Sequence, residues 1–167
     1  KVLMELLGEP MLRYVFQALT PVFEDAVWTV TGHGVDQVRQ AFSARPELLD
    51  KFILQESQLG TGHALQTAWP ALKTAGVERL VVVNGDTPLM PTERLQEFME
   101  QSKNADLAFM TLRLVDPGSF GRVARKDGKV RAIAEAKDFV PDRDGEATGE
   151  INAGIDILNM TTIETLL

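Results

Sequence analysis

Between Arg79 and Asp86 the chain reads Arg-Leu-Val-Val-Val-Asn-Gly-Asp, a nearly continuous apolar run that ends on a turn and a carboxylate. A strand with no polar side must be covered on both faces, so residues 80–83 are expected to form a central strand of a largely parallel sheet. Its neighbours follow the same rule. Short β-branched runs at 27–31, 52–55 and 107–113 alternate with amphipathic stretches at 11–19, 35–42, 61–72 and 92–101, which is the rhythm of βαβ units. Pro10 precedes the first of those helices, where Leu12, Val15, Phe16 and Leu19 recur at helical spacing. Then the rhythm changes. Residues 122–125 and 129–134 flank Asp127-Gly128, the strongest hairpin signal in the chain. Residues 138–150 have the charges and turn formers of a surface loop, a strand returns at 151–159, and Thr161 begins a helix. The expected class is an α/β sandwich, mostly parallel with an added β-hairpin, that presents ligands at the carboxyl edge of its strands.

The 167 residues suffice for one domain with one core. With 24 acidic against 17 basic residues the net charge is −7, which argues against nucleic acid or an anionic membrane as partner. An anionic substrate would therefore need local cations or a bound metal. No apolar run approaches the roughly 18 residues of a bilayer span. Cysteine is absent, which excludes disulfides, thiolate catalysis and zinc-thiolate sites and fits a cytoplasmic protein. The chain opens on Lys1-Val2-Leu3 with no initiator Met, signal peptide or evident turn, and closes in the middle of a helical pattern. A piece of a larger protein is expected.

Residues 54–64, Leu-Gln-Glu-Ser-Gln-Leu-Gly-Thr-Gly-His-Ala, set two glycines and a threonine between a strand and a helix. Glycine lets backbone N–H groups approach a flat or anionic ligand. The same spacing also serves merely to turn the chain, and Thr61 is equally suited to cap the helix. Asp86 stands where an α/β sheet binds ligands. A lone aspartate completed by phosphate oxygens and water makes a normal magnesium site, and the alternative is a cap on the turn before Pro88. Gly121, Glu135 and Asn152, taken singly, read as a turn glycine, a solvated charge and a strand-end asparagine. His33 and His63 both lie in glycine-flanked loops, too isolated to suggest a metal pair.

Residues 54–64 resemble, nearly residue for residue, the uracil-binding loop of the bifunctional UDP-N-acetylglucosamine pyrophosphorylase and acetyltransferase family. The resemblance implies a Rossmann-like nucleotidyltransferase sandwich in which Gln55 and Gly60 hold the uracil edge with Thr61 beside them. The Gln55 amide can donate and accept, as reading a base edge requires. Gly85-Asp86 matches the family's Gly-Asp strand end, which makes Gly85 a nucleotide contact and Asp86 the ligand of Mg²⁺. Phe120-Gly121-Arg122 resembles the family's Tyr-Gly-Arg turn. Gly121, Glu135 and Asn152 are the implied sugar contacts, and Lys1 matches a catalytic lysine at the nucleotide phosphates.

The implied activity is a uridylyltransferase that forms UDP-N-acetylglucosamine and pyrophosphate from UTP and N-acetylglucosamine 1-phosphate, in the cytoplasm, for cell-wall precursors. A sugar phosphate is already an anionic nucleophile, so alignment and charge stabilisation suffice, in keeping with a chain that shows no Ser-His-Asp or paired-carboxylate pattern. The resemblance covers the whole chain but only the middle of the family's first domain. It implies a partial nucleotidyltransferase domain over 1–167, lacking its first strand and Gly-rich phosphate loop and without the acetyltransferase β-helix. Such a piece should be impaired, and its parent should be a homotrimer. The alternatives are a related sugar-1-phosphate nucleotidyltransferase or cytidylyltransferase, and a non-catalytic nucleotide-sugar-binding module.

Overall fold

The computed structural model of the protein describes residues 1–140 and 149–166; most of the polar stretch expected as a surface loop lies outside them. The chain begins with a small antiparallel hairpin, β1 (Glu5–Leu6) and β2 (Glu9–Pro10). Leu7 and Gly8 join them with φ of 53° and 83°, the paired left-handed conformation of a type I′ turn. No turn was expected here, because leucine does not announce such a backbone. Helix α1 (Met11–Phe23) follows and runs four residues beyond the expected end, through Pro21. Proline removes one intrahelical donor. The Thr20 hydroxyl bonds the Phe16 carbonyl at 2.8 Å one turn earlier, and Val22 and Phe23 pack on the core, so burial keeps the last turn helical.

Strand β3 (Thr29–Thr31), helix α2 (Val35–Ala41), the short α3 (Pro46–Leu49) and β4 (Phe52–Leu54) come next. β3 and β4 are parallel, Thr29 opposite Phe52 and Thr31 opposite Leu54. Helix α4 (Thr61–Thr74) leads to β5 (Arg79–Val83), and α5 (Thr92–Gln101) leads to β6 (Leu107–Arg113). The Asp127-Gly128 turn, with φ of 53° and 73°, joins β7 (Arg122–Lys126) to β8 (Lys129–Ala134) as expected. β9 (Glu150–Asn159) passes directly into α6 (Met160–Ile163), whose first turn is capped by Asn159.

β9 organises the larger sheet. β6 runs antiparallel along one of its edges. The other edge is shared: β5 pairs antiparallel with residues 155–159, and β7 meets Ile151. β5 and β6 thus run in the same sense with an antiparallel strand between them, an arrangement that periodicity does not reveal. Two apolar clusters cover the strands. Phe52, Val81, Val83 and Ile155 pack with α1 and α5, while Val30, Ile53, Leu80 and Met160 pack with α4. β3, β4 and β5 therefore lie in one layer between helices. β5 is covered on both faces as expected, but it is not central in its ladder, since among the described residues it bonds only β9 while β3 bonds only β4. No helix among the described residues is long and apolar enough to cross a membrane.

Candidate functional site

Gln55 follows β4 directly, and its N–H donates to the Thr31 carbonyl at 2.8 Å, which carries the parallel ladder one residue further. Its side chain is buried, at 7% exposure, whereas residues 56–60 are exposed. The amide Nε2 donates to the Gly60 carbonyl at 3.2 Å and lies 2.9 Å from Nδ1 of His63. Gly60 has φ 106° and ψ −178° with open space where a side chain would project. The constraint on this glycine is thus conformational rather than steric. Its carbonyl also accepts from Ala64 N–H at 3.1 Å, which starts α4. Gly60 is therefore the cap, and Thr61 is the exposed first residue of the helix with no capping bond. His63, expected in a loop, sits in the first turn of α4.

A second glutamine braces the loop. Gln58 Nε2 donates to the Gln55 carbonyl at 3.3 Å, and Oε1 meets Nδ1 of His33. The Gln58 side chain crosses Gly32 so closely that a Cβ there would come within 2.6 Å of its Nε2.

At the end of β5, the Asn84 carbonyl accepts from Thr87 through N–H at 3.3 Å and through the hydroxyl at 2.6 Å, which closes the turn. Asp86 is therefore not needed as a cap. Its carboxylate, at 29% exposure, instead meets Nζ of Lys1 at 2.5 Å. A Cβ at Gly85 would lie 3.2 Å from Val2, so glycine here lets the start of the chain cross the strand end. Among the described residues no three His, Cys, Asp or Glu side chains gather to form a cage for a metal. Asp86 alone suits Mg²⁺, which keeps waters and takes phosphate oxygens beside one or two carboxylates.

The remaining three predicted residues fall in one row. Arg122 pairs with Ala134 on one side and with Ile151 on the other. One residue outward in these antiparallel registers, Gly121 stands between Glu135 and Asn152, and Asn152 pairs with Thr111 beyond. A Cβ at Gly121 would press on the Ala134 carbonyl at 3.3 Å. The Asn152 side chain accepts from Gly154 N–H at 2.9 Å. Gly154, with φ 72°, lies under the Asn84 amide where no side chain fits, and Asn84 N–H donates to its carbonyl at 3.3 Å. Asn84 thereby ties the Asp86 turn to the row, a role that no sequence signal marked.

The row has a firm base. Glu150, 3% exposed, receives two hydrogen bonds from the Arg125 guanidinium at 2.7 and 2.8 Å. The Arg125 hydrogen bonds, helped by Thr111 and the charge of Arg113, outweigh burial and hold the Glu150 carboxyl at about 2. The Arg122 guanidinium gathers the carbonyls of Pro117, Gly118 and Phe120, which fixes the turn carrying Gly121.

The predicted residues thus form three groups: Lys1 with Asp86 and Gly85, Gln55 with Gly60 and Thr61, and the row Glu135, Gly121 and Asn152. The first and third are linked through Asn84 and Gly154. The second stands on the separate β3–β4 ladder.

Residues 1–135 match the family described as MobA-like NTP transferase domain. The chain is 54% identical over 167 residues to the bifunctional protein GlmU of Nitratidesulfovibrio vulgaris and 48% identical over 169 residues to that of Oleidesulfovibrio alaskensis. All of this chain and 36% of each relative are covered, so it spans about a third of their length. Among solved structures, it superposes on a putative glucose-1-phosphate thymidylyltransferase from Bacillus anthracis with a TM-score of 0.74 at 17% identity. That match covers 99% of this chain and 65% of the other.

Proposed function

Because this chain belongs to the MobA-like NTP transferase domain family, we propose that it carries the uracil- and sugar-binding part of a uridylyltransferase. In the whole protein this enzyme joins UTP to N-acetylglucosamine 1-phosphate and yields UDP-N-acetylglucosamine and pyrophosphate. The observation that carries the reading is the meeting at β9. β5 leaves the strand at Ile155, close to Asp86, and β7 joins it at Ile151, close to Gly121. A carboxylate suited to a metal and a row of glycine, glutamate and asparagine therefore share one edge, with only residues 153 and 154 between Asn152 and the end of the β5 pairing. The likeness of residues 54–64 to the family's uracil-binding loop, together with Glu135 and Asn152, supports the uridine and amino-sugar choice.

The chemistry follows from the groups present. An oxygen of the sugar phosphate attacks the α-phosphorus of UTP, that bond forms as the bond to pyrophosphate breaks, and no proton need move. Gln55 and Gly60 hold the base, while Gly121, Glu135 and Asn152 orient the sugar so that its phosphate lies in line. Lys1 and the Thr61 end of α4 favour negative charge near the phosphates. Mg²⁺, held by Asp86, would offset charge on the phosphate oxygens.

The two ladders support one further element of this reading. β3 and β5 share a layer, yet each has an edge without a strand partner among the described residues. A first strand and its phosphate-binding loop, outside these 167 residues, would run between them in the whole protein. The chain alone should therefore turn over slowly. As the resemblance implies, the parent would be a cytoplasmic homotrimer that supplies precursors for peptidoglycan and lipopolysaccharide.

Calorimetric titration of the chain with UDP-N-acetylglucosamine tests the proposal, because this product needs the base and sugar contacts but not the triphosphate grip. Saturable binding that tightens with Mg²⁺ is expected. Absence of heat with and without the metal would sink the reading.

A further inference from the structure

We propose that His63 is a positioning residue that sets base selectivity, by fixing which end of the Gln55 amide faces the ligand. The inference rests on the reading of Gln55 as the base contact and adds what that residue can accept as a base.

The orientation follows from what each neighbour can do. The Gly60 carbonyl can only accept, so the atom 3.2 Å from it must be the amide nitrogen of Gln55. That same nitrogen lies 2.9 Å from His63 Nδ1. An amide nitrogen cannot accept, so Nδ1 must, and the imidazole proton resides on Nε2. Both amide protons are then engaged within the protein. Oε1 receives no hydrogen bond from any described residue, and it is not sealed from solvent in the way that the orphan hydroxyl of Thr31 is. The side chain, 7% exposed, therefore offers a ligand one group, a carbonyl acceptor.

That acceptor discriminates. Uracil and thymine carry a donor N3–H on the pairing edge, whereas cytosine presents a bare N3 lone pair there. An acceptor held against that lone pair is left unpaired, which is the situation in which a polar site rejects a near-isostere most strongly. If His63 could not accept, the amide would lose its shorter restraint. It could then turn to present Nε2, which suits cytosine.

Two readouts test this on the intact chain. Long-range ¹H–¹⁵N spectra of the ligand-free protein at neutral pH should show the His63 proton on Nε2. A proton on Nδ1 would overturn the proposal without any ligand being involved. The second readout is the ratio of affinities for UDP and CDP in His63→Asn and His63→Leu, with folding checked by thermal melting. Asparagine keeps an acceptor at the Nδ1 position and should preserve the wild-type preference for UDP. Leucine should cut that preference at least tenfold, mainly by loss of UDP affinity. A His63→Leu chain that stays folded with an unchanged ratio would overturn the role of His63 while the uridine site stands. A wild-type chain that binds UDP no better than CDP would overturn the uridine reading and this inference with it.

Discussion

The Gln55 loop and the Gly121 row hold their residues in opposite ways. In the loop the side chains do the holding: Gln55 is gripped by Gly60 and His63 and braced by Gln58, over a backbone with little ladder of its own. In the row the ladder does it. Glu135, Gly121 and Asn152 are placed by registers shared among β7, β8 and β9, with Arg125 and Glu150 bonded beneath. Single substitutions in the loop should therefore alter recognition more than they alter stability, whereas damage near the row should spread through the sheet.

Asp86, the proposed metal ligand, gives the steepest response. Asp86→Asn in the full-length enzyme should lower turnover at least a thousandfold, with a stable fold, since an amide cannot supply the charge that holds Mg²⁺ near phosphates. Steady-state pyrophosphate release at saturating magnesium measures it, and a loss under tenfold would remove Asp86 from the metal role. Next comes the base of the row. Arg125→Met leaves the buried Glu150 carboxylate unpaired and should cost about 3 kcal/mol in urea unfolding. The same variant should weaken binding of UDP-N-acetylglucosamine more than binding of UDP, which lacks the sugar. Equal losses for both ligands would show that the row and the loop are not separable. Gly60→Ala tests the loop from its backbone: forcing φ near 106° on alanine should cost roughly 1–2 kcal/mol and swing the carbonyl away from Gln55. UDP affinity should fall about tenfold.

The mildest effect concerns pH. Glu150 is held at about 2, below its usual 4.5, so the native state favours its ionised form. The resulting stability is complete above the ordinary carboxyl range and is lost as pH falls from about 4.5 toward 2. Melting curves across that window should show the gap between wild type and Arg125→Met narrowing as the medium becomes more acid. A gap that stays constant would mean that the pair is not what sets the difference.

Much of this was legible in the sequence, for reasons that differ by element. Leu12, Val15, Phe16 and Leu19 announced α1, and all four are buried. Asp127-Gly128 announced its turn, because both residues tolerate left-handed backbone. Leu7-Gly8 adopts the same turn unannounced, since only the pairing of β1 with β2 holds Leu7 there with its side chain 92% exposed. The apolar run of β5 told that both faces were covered but could not tell that its ladder partner runs antiparallel from a strand some seventy residues later. Gln55 stands out through resemblance, whereas His63 looks isolated in the sequence because its partnership with Gln55 exists only once the loop has folded. The row depends on registers, which no spacing within one segment encodes.

β9 is the last strand among the described residues and the common neighbour of β5, β6 and β7. On a ribosome, which releases the chain from its start, β5 and β6 wait for this partner until residues 150–159 have emerged. Up to then, the β1–β2 hairpin, the β3–β4 pair and the β7–β8 hairpin can zip from what has already been made. Long sequence separation slows such pairing and leaves apolar strand edges open in the interval. The strand that unites the Asp86 turn with the Gly121 row therefore also times the birth of the domain: assembly of the larger sheet is a single late event rather than a gradual accretion.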